Sequence, residues 1–323
     1  MWGRSGQGNC PAYRAAPRIC QCRTGGRNQP VSLPLCQVKQ QTMDHFYIIA
    51  NKNKKSAEKL QHEICEFLEA AGKSVTVAAE KAERGHIAPD ECECILVLGG
   101  DGTMLNAADD NAEGQIPLLG INLGTMGYLA EIEKDAWKEA LTRLLDGNFE
   151  IEERMMLMGY VEDCPGRRTR TALQALNDVA ITRSGQLRVV PYDVYVNGQF
   201  LNRYEADGII LSTPTGSTGY NLSAGGPIAE PQAKLILLTP ICPHTLNTRT
   251  IILSPEDRIE IEIGKARDGA EVSVEADFDG SDHALSMKSG QRITVQASPM
   301  TTKIIRIYRQ SFLETLHRKM SAR

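Results

Sequence analysis

The chain has 323 residues, 41% hydrophobic and 24% charged, with 28 Gly and 15 Pro. That length suits about two domains with proper cores and excludes a disulfide-stapled miniprotein, a collagen or a disordered acidic tail. No window approaches the ~18 uninterrupted apolar residues of a membrane-spanning helix, and no membrane partner is expected.

The formal net charge of −4 conceals a division. Residues 1–42 carry Arg4, Arg14, Arg18, Arg23, Arg27 and Lys39 and no acid, leaving 30 basic and 40 acidic side chains beyond them. An acidic body argues against nucleic-acid binding, so an anionic substrate has to be held by local donors and dipoles. Four of the nine cysteines (Cys10, Cys20, Cys22 and Cys36) fall in the basic segment. An odd, irregularly spaced set is a poor disulfide framework, which points to a reducing, cytoplasmic setting. Cys20-Gln-Cys22 lacks a second pair of ligands at zinc spacing. With no continuous apolar core, residues 1–42 do not read as a secretory signal. They read as a disordered leader, with an upstream start codon as one origin and the folded protein opening near Met43.

From Met43 strands and helices alternate. Phe46 to Ala50 reads as a buried strand. Ser56 reads as the N-cap of a helix whose Ala57, Leu60, Ile64, Phe67, Leu68 and Ala71 recur at three- and four-residue steps. Gly72 stands where a C-terminal glycine cap belongs. A strand from Ser74 to Ala78 follows. Cys94 to Leu98 and Pro117 to Ile121 are continuous apolar runs, as in parallel strands covered on both faces. The series predicts a mostly parallel sheet with its loops at the strands' carboxyl ends.

After about residue 145 the period changes to two. Tyr192, Val194 and Val196 lead into Asn197-Gly198, a hairpin signal. Ile259, Ile261 and Ile263 alternate with Glu260 and Glu262, which read as solvent-facing. Val272, Val274 and Ala276, then Ile293 and Val295, repeat the pattern. Ser311-Phe-Leu-Glu314 is a capping box opening a terminal helix.

Three segments carry chemistry. Gly99-Gly100-Asp101-Gly102-Thr103 ends a buried strand, and its glycines let the backbone approach a ligand while exposed N–H groups suit phosphate oxygens. Asp101 would repel phosphate, yet it makes sense as a base taking a proton from an attacking hydroxyl. A tight turn with Asp101 as a helix N-cap fits the same residues equally well. The run from Asp207 to Pro227 is rich in hydroxyls and glycines and free of Lys and Glu, and Tyr220 adds a face for a flat ring. Asn177-Asp178, inside an apolar stretch, is either a turn or a pair of acceptors for two ribose hydroxyls. No G-x-x-x-x-G-K-[ST] loop is present, and Gly120, Gly124 and Gly127 have the wrong spacing for a dinucleotide fingerprint.

Gly99 to Thr103, Gly120-Ile-Asn-Leu-Gly-Thr-Met-Gly-Tyr-Leu129, Asn177-Asp178 and Asp207 to Pro227 together resemble the NAD kinase family, in order and spacing, from about Met43 to the C-terminus. The resemblance implies transfer of a phosphoryl group from ATP to the 2′-hydroxyl of the adenosine ribose of NAD, giving NADP, with Mg2+ as cofactor. It implies Asp101 as general base and Gly99, Gly100, Gly102 and Thr103 as the phosphate loop. It implies that Gly102, Asn177, Asp178, Asp207, Thr218, Gly219, Tyr220, Asn221, Leu222 and Ser223 line the NAD site, with Arg188 and Glu205 placed there by spacing alone. The implied fold is an α/β, Rossmann-like domain over 43–145 and an antiparallel, sandwich-like β domain over 146–300. Residues 301–323 would form a strand and helix returning to the first domain, in a homodimer or homotetramer. The sequence departs from the family's usual Asn-Glu at Asn177-Asp178, from Thr-Ala-Tyr at Thr218 to Tyr220, from Phe at Tyr128, and from Asp-Gly-Gln at Asp279 to Ser281. His244 reads as structural. A lipid or sugar kinase sharing the glycine loop, and a non-catalytic NAD sensor, are the alternatives.

Overall fold

A run of six wholly buried residues, Cys94–Gly99, forms the middle strand of a parallel sheet and delivers the glycine turn at its carboxyl end. The computed structural model describes residues 43–51, 54–78, 92–124, 127–164, 167–168, 172–185, 188–245, 248–280, 284–308 and 311–321. The leader, Cys20-Gln-Cys22 and Ser281 lie outside these.

The chain opens with β1 (His45–Ala50), α1 (Lys55–Ala70), β2 (Ser74–Val77), β3 (Cys94–Gly99), α2 (Asp101–Asp110), β4 (Leu118–Asn122), β5 (Ile132–Glu133) and α3 (Trp137–Leu145). β2, β1, β3 and β4 lie side by side and parallel. Leu60, Ile64 and Leu68 of α1 and Trp137, Leu141 and Leu144 of α3 bury against one face. Met104, Ala107 and Ala108 of α2 bury against the other, together with Leu176 from the second half of the chain. At about 1.5–3 kcal/mol per buried large apolar side chain, these two layers anchor the sheet. Gly72, at φ 75°, ends α1 as its position suggested. Ser56 does not cap α1. The helix begins at Lys55, Lys54 stands at the cap, and no side chain caps it.

The second half runs β6 (Glu150–Cys164), β7 (Arg167–Arg168), β8 (Leu173–Ala175), β9 (Asp178–Ser184), β10 (Val190–Val196), β11 (Gln199–Ala206), β12 (Gly208–Ser212), α4 (Tyr220–Ser223), β13 (Ile236–Ile241), β14 (Ile251–Leu253), β15 (Ile259–Ile263), β16 (Ser273–Phe278), β17 (Leu285–Lys288), β18 (Arg292–Arg306) and α5 (Phe312–Ser321). One antiparallel sheet has the order β14-β13-β12-β9-β16-β17. It faces β6, β10, β11, β15 and β18 across a core that includes Ile181, Tyr192, Ile209, Leu238, Ile261 and Phe278. Asn197 and Gly198 turn the β10–β11 hairpin at φ 52° and 76°.

The two halves share one sheet through β18. Its early residues pair with β15, Ile304 pairs in parallel with Leu118 of β4, and β6 runs antiparallel along most of its length. The architecture is therefore an α/β half and an antiparallel β half, as expected. Glu260 corrects one reading: it is 7% exposed, not solvent-facing, and pairs with Arg258 at 2.9 Å. A charged partner two residues earlier in the chain makes that burial tolerable, a possibility alternation alone does not register.

Candidate active site

The carboxyl end of β3 turns directly into α2. Gly100 is the N-cap and Asp101 the first helical residue, so Asp101 does not cap its own helix. Its carboxylate crosses to the chain after β4. The amide of Tyr128 donates to Oδ2 at 2.8 Å and that of Leu129 to Oδ1 at 3.1 Å. A Cβ on Gly127 would fall on this carboxylate, so glycine is what allows the approach. Each carboxylate oxygen offers two lone pairs. With one bond from this turn on each, Asp101 is held in orientation and retains acceptor capacity. Behind it the amide of Asn51 donates to Thr103 Oγ1 at 3.3 Å, and the Leu123 N–H donates to the Gly99 carbonyl at 2.9 Å.

Asn177 and Asp178 sit at the bend between β8 and β9, pinned from both sides. Asp279, at φ 60°, accepts the amides of Leu176, Asn177 and Asp178 at 2.6, 2.8 and 2.9 Å. From the other side the Thr213 N–H donates to the Asn177 carbonyl at 2.8 Å, and its hydroxyl to the Leu176 carbonyl at 2.6 Å. A Cβ on Gly219 would stand 3.5 Å from Asn177 Nδ2 and 3.7 Å from Asp178 Oδ2, so both side chains flank the turn before Tyr220. Burial pushes Asp178 up to about 7, with the charges of Asp279 and Asp277 adding to it. Burial also raises Asp279, to about 6, against three amides that pull the other way. Tyr220 is 43% exposed, and its phenol is raised by burial and by Cys242, Asp178 and Asp207 nearby.

A cavity of about 540 Å³ opens between the two halves, lined by 127–131 and 150–154, by Thr215 and Thr218, by 230–232, and by Arg306, Ser311, Phe312 and Thr315. Asp101 does not line it and meets it through the amides of the lining residues Tyr128 and Leu129. The polar frame of the cavity is an ion cluster around the buried Arg154. Glu152 accepts from Arg154 at 2.9 Å, Arg306 at 2.8 Å and Gln232 at 2.9 Å. Burial raises its carboxyl, but Arg154 and Arg306 outweigh this and hold it at about 2. Arg154 reaches Thr215 Oγ1 at 3.2 Å, and Arg306 reaches the Leu129 carbonyl at 3.4 Å. The cluster thus joins the turn that grips Asp101 to the hydroxyl-rich turn of the second half. α5 closes one side: Ser311 and Glu314 form the reciprocal capping box, Phe312 packs on Tyr128, and Lys319 Nζ lies 3.7 Å from the Tyr128 ring centre.

Two family models match the sequence, the ATP-NAD kinase N-terminal domain over residues 83–149 and the ATP-NAD kinase C-terminal domain over residues 176–307. The chain belongs to the NAD kinase family. An NAD kinase of Lachnoclostridium phytofermentans is 42% identical over 282 residues, covering 86% of this chain and 99% of its own. One from Agathobacter rectalis is 41% identical over 285 residues, with the same coverage. A solved yeast NADH kinase complexed with NADH superimposes with a TM-score of 0.78 at 24% identity, covering 88% of this chain and 89% of that one. An Archaeoglobus fulgidus NAD kinase in complex with ATP gives 0.63 at 23% identity, covering 82% and 93%. These two likenesses speak for the fold. The sequence matches span both halves, which a kinase sharing only the glycine loop does not account for.

In this NAD kinase family member, Thr218 lines the cavity, Gly219 faces Asn177-Asp178, and Tyr220, Leu222 and Ser223 are exposed. Asp207 pairs with Arg183 at 2.8 Å. Asn221 is fully buried; its side chain donates to the Ser217 and Pro227 carbonyls and accepts from Thr239, and so builds the turn. Arg188 and Glu205 do not line the large cavity. Arg188 pairs with Asp268 at 3.4 Å beside a smaller cavity of about 300 Å³, and Glu205 pairs with Arg267. The His244 N–H donates to the Glu205 carbonyl at 2.8 Å. Sequence reasoning passed over Glu152, Arg154 and Arg306. Glu152 and Arg154 lie two apart in a strand and so share a face, which was the available signal. It also gave Asp279 no positioning role, although Asp-Gly after a strand marks a turn.

Proposed function

We propose that this chain transfers the terminal phosphoryl group of ATP to the 2′-hydroxyl of the adenosine ribose of NAD, forming NADP and ADP. The observation that carries the reading is Asp101, fixed at the first turn of α2 by two amides with lone pairs to spare. As general base it takes the hydroxyl proton while that oxygen forms its bond to phosphorus and the bond to the ADP oxygen breaks. Such a base is worth about 10²–10⁴ in rate. The free N–H groups at the start of α2 and the small Gly99-Gly100-Asp101-Gly102-Thr103 turn suit the donor phosphates. Asn177 and Asp178 hold the ribose, and Thr218 to Tyr220 border the base.

Mg2+ fits as an ion carried on the phosphates. Among the described residues no three His, Cys, Asp or Glu side chains cluster to hold one, and Mg2+ commonly binds through one or two carboxylates plus substrate phosphates. Asp101 and the Thr103 hydroxyl are the loop's available oxygens, and bound there the ion offsets phosphate charge. No described helix is long and apolar enough to cross a membrane. We place the enzyme in the cytoplasm as a homodimer or homotetramer. The test is purified protein with NAD, ATP and Mg2+, read by an NADP-specific dehydrogenase. NADP formation supports the reading. Tight NAD binding with no ATP consumed contradicts it and favours a sensor.

A further inference from the structure

The glycine loop contains no Lys or Arg, although it is asked to hold a polyanion in an acidic protein. β3 lies between β1 and β4, with Ala50 beside Leu98 and Gly99 beside Asn122. Lys54 follows the end of β1, yet its Nζ reaches the far side: a Cβ on Gly124, just past β4, would stand 2.6 Å from it. Neighbouring strands are ~4.8 Å apart, so the turn after β1 and this side chain together cross the roughly 10 Å from β1 to β4, over the carboxyl end of β3. That end is where Gly99 and Gly100 leave the strand. The segment that carries Lys54 is pinned to the same place. The Asn51 N–H donates to the Leu98 carbonyl at 2.9 Å, the Asn51 amide reaches Thr103 Oγ1 at 3.3 Å, and the Lys54 N–H returns to the Asn51 carbonyl at 3.1 Å. Among the described residues no carboxylate pairs with the ammonium. A compact, strongly hydrated charge on a flexible stem suits a phosphate as a point partner.

We propose that Lys54 binds the phosphates of the donor nucleotide, supplying from the β1–α1 turn the cation that the glycine loop lacks. The inference rests on the phosphoryl-transfer reading above and assigns the donor's anchor within it. The test is steady-state kinetics of Lys54→Met and Lys54→Arg, with ATP varied at saturating NAD and NAD varied at saturating ATP. Because the Lys54 side chain caps nothing, methionine leaves the start of α1 intact. In Lys54→Met the KM for ATP rises about 10- to 100-fold, the worth of one charge-assisted hydrogen bond, while the KM for NAD stays within about twofold. Lys54→Arg recovers most of the loss, which a folding defect does not allow. An unchanged KM for ATP in Lys54→Met, or equal rises for both substrates, overturns the inference while the wild type still makes NADP. A wild-type protein that makes no NADP overturns the functional reading, and this inference with it.

Discussion

The backbone amide of Asn177 donates to a carboxylate oxygen of Asp279 at 2.8 Å, across a sequence separation of 102 residues. The same carboxylate takes the amides on either side of it, so one side chain from the turn after β16 sets the bend that presents Asn177 and Asp178. Asn tolerates the left-handed φ of position 279, which makes Asp279→Asn a clean probe. Losing acceptor capacity for buried amides costs about 1–3 kcal/mol. We expect a lower thermal midpoint and a raised KM for NAD with the KM for ATP unchanged. Calorimetry and initial rates check both.

The raised carboxyls of Asp178 and Asp279 make stability depend on pH in a defined direction. Asp178 ordinarily titrates at 3.8 and is raised to about 7 in the fold; Asp279 moves the same way, to about 6. Between those values the folded chain keeps protons that the unfolded chain has released, so stability declines as pH rises through the window. Urea unfolding of wild type and Asp178→Asn from pH 4 to pH 7.5 is the measurement, those limits being set to span about the ordinary and raised values. The variant should lose most of this decline; an identical slope in both proteins contradicts the assignment.

Gly127 is a second point of leverage, because a Cβ there falls on the Asp101 carboxylate. Gly127→Ala must displace either the base or the turn that grips it. A fall in kcat of about 10²-fold is expected, at the lower end of what a positioned base contributes. Wild-type kcat in this variant would show that the grip on Asp101 has no catalytic weight.

What the sequence disclosed, and what it hid, follows from the range of each interaction. β3, β4 and the β10–β11 hairpin were legible because burial on both faces and Asn197-Gly198 leave local patterns. The capping box of Ser311 and Glu314 was legible for the same reason. The Asp101 turn was half legible: the glycines announced a close approach, but Asp101 as a helix cap fitted them equally well until Tyr128 and Leu129 were placed. Glu152, Arg154 and Arg306 were hidden, because their meaning lies in a meeting of β6 with β18 about 150 residues away and nothing local marks them. Glu260 misled, since a buried ion pair on a strand has the same alternation as a wet face.

The central claim concerns the proton on the attacking ribose hydroxyl, and Asp101→Asn tests it most directly. Single-turnover formation of NADP should fall about 10²–10⁴-fold in this variant while the Kd for NAD, measured by calorimetry, remains near the wild-type value. Undiminished single-turnover rates in Asp101→Asn would contradict the account.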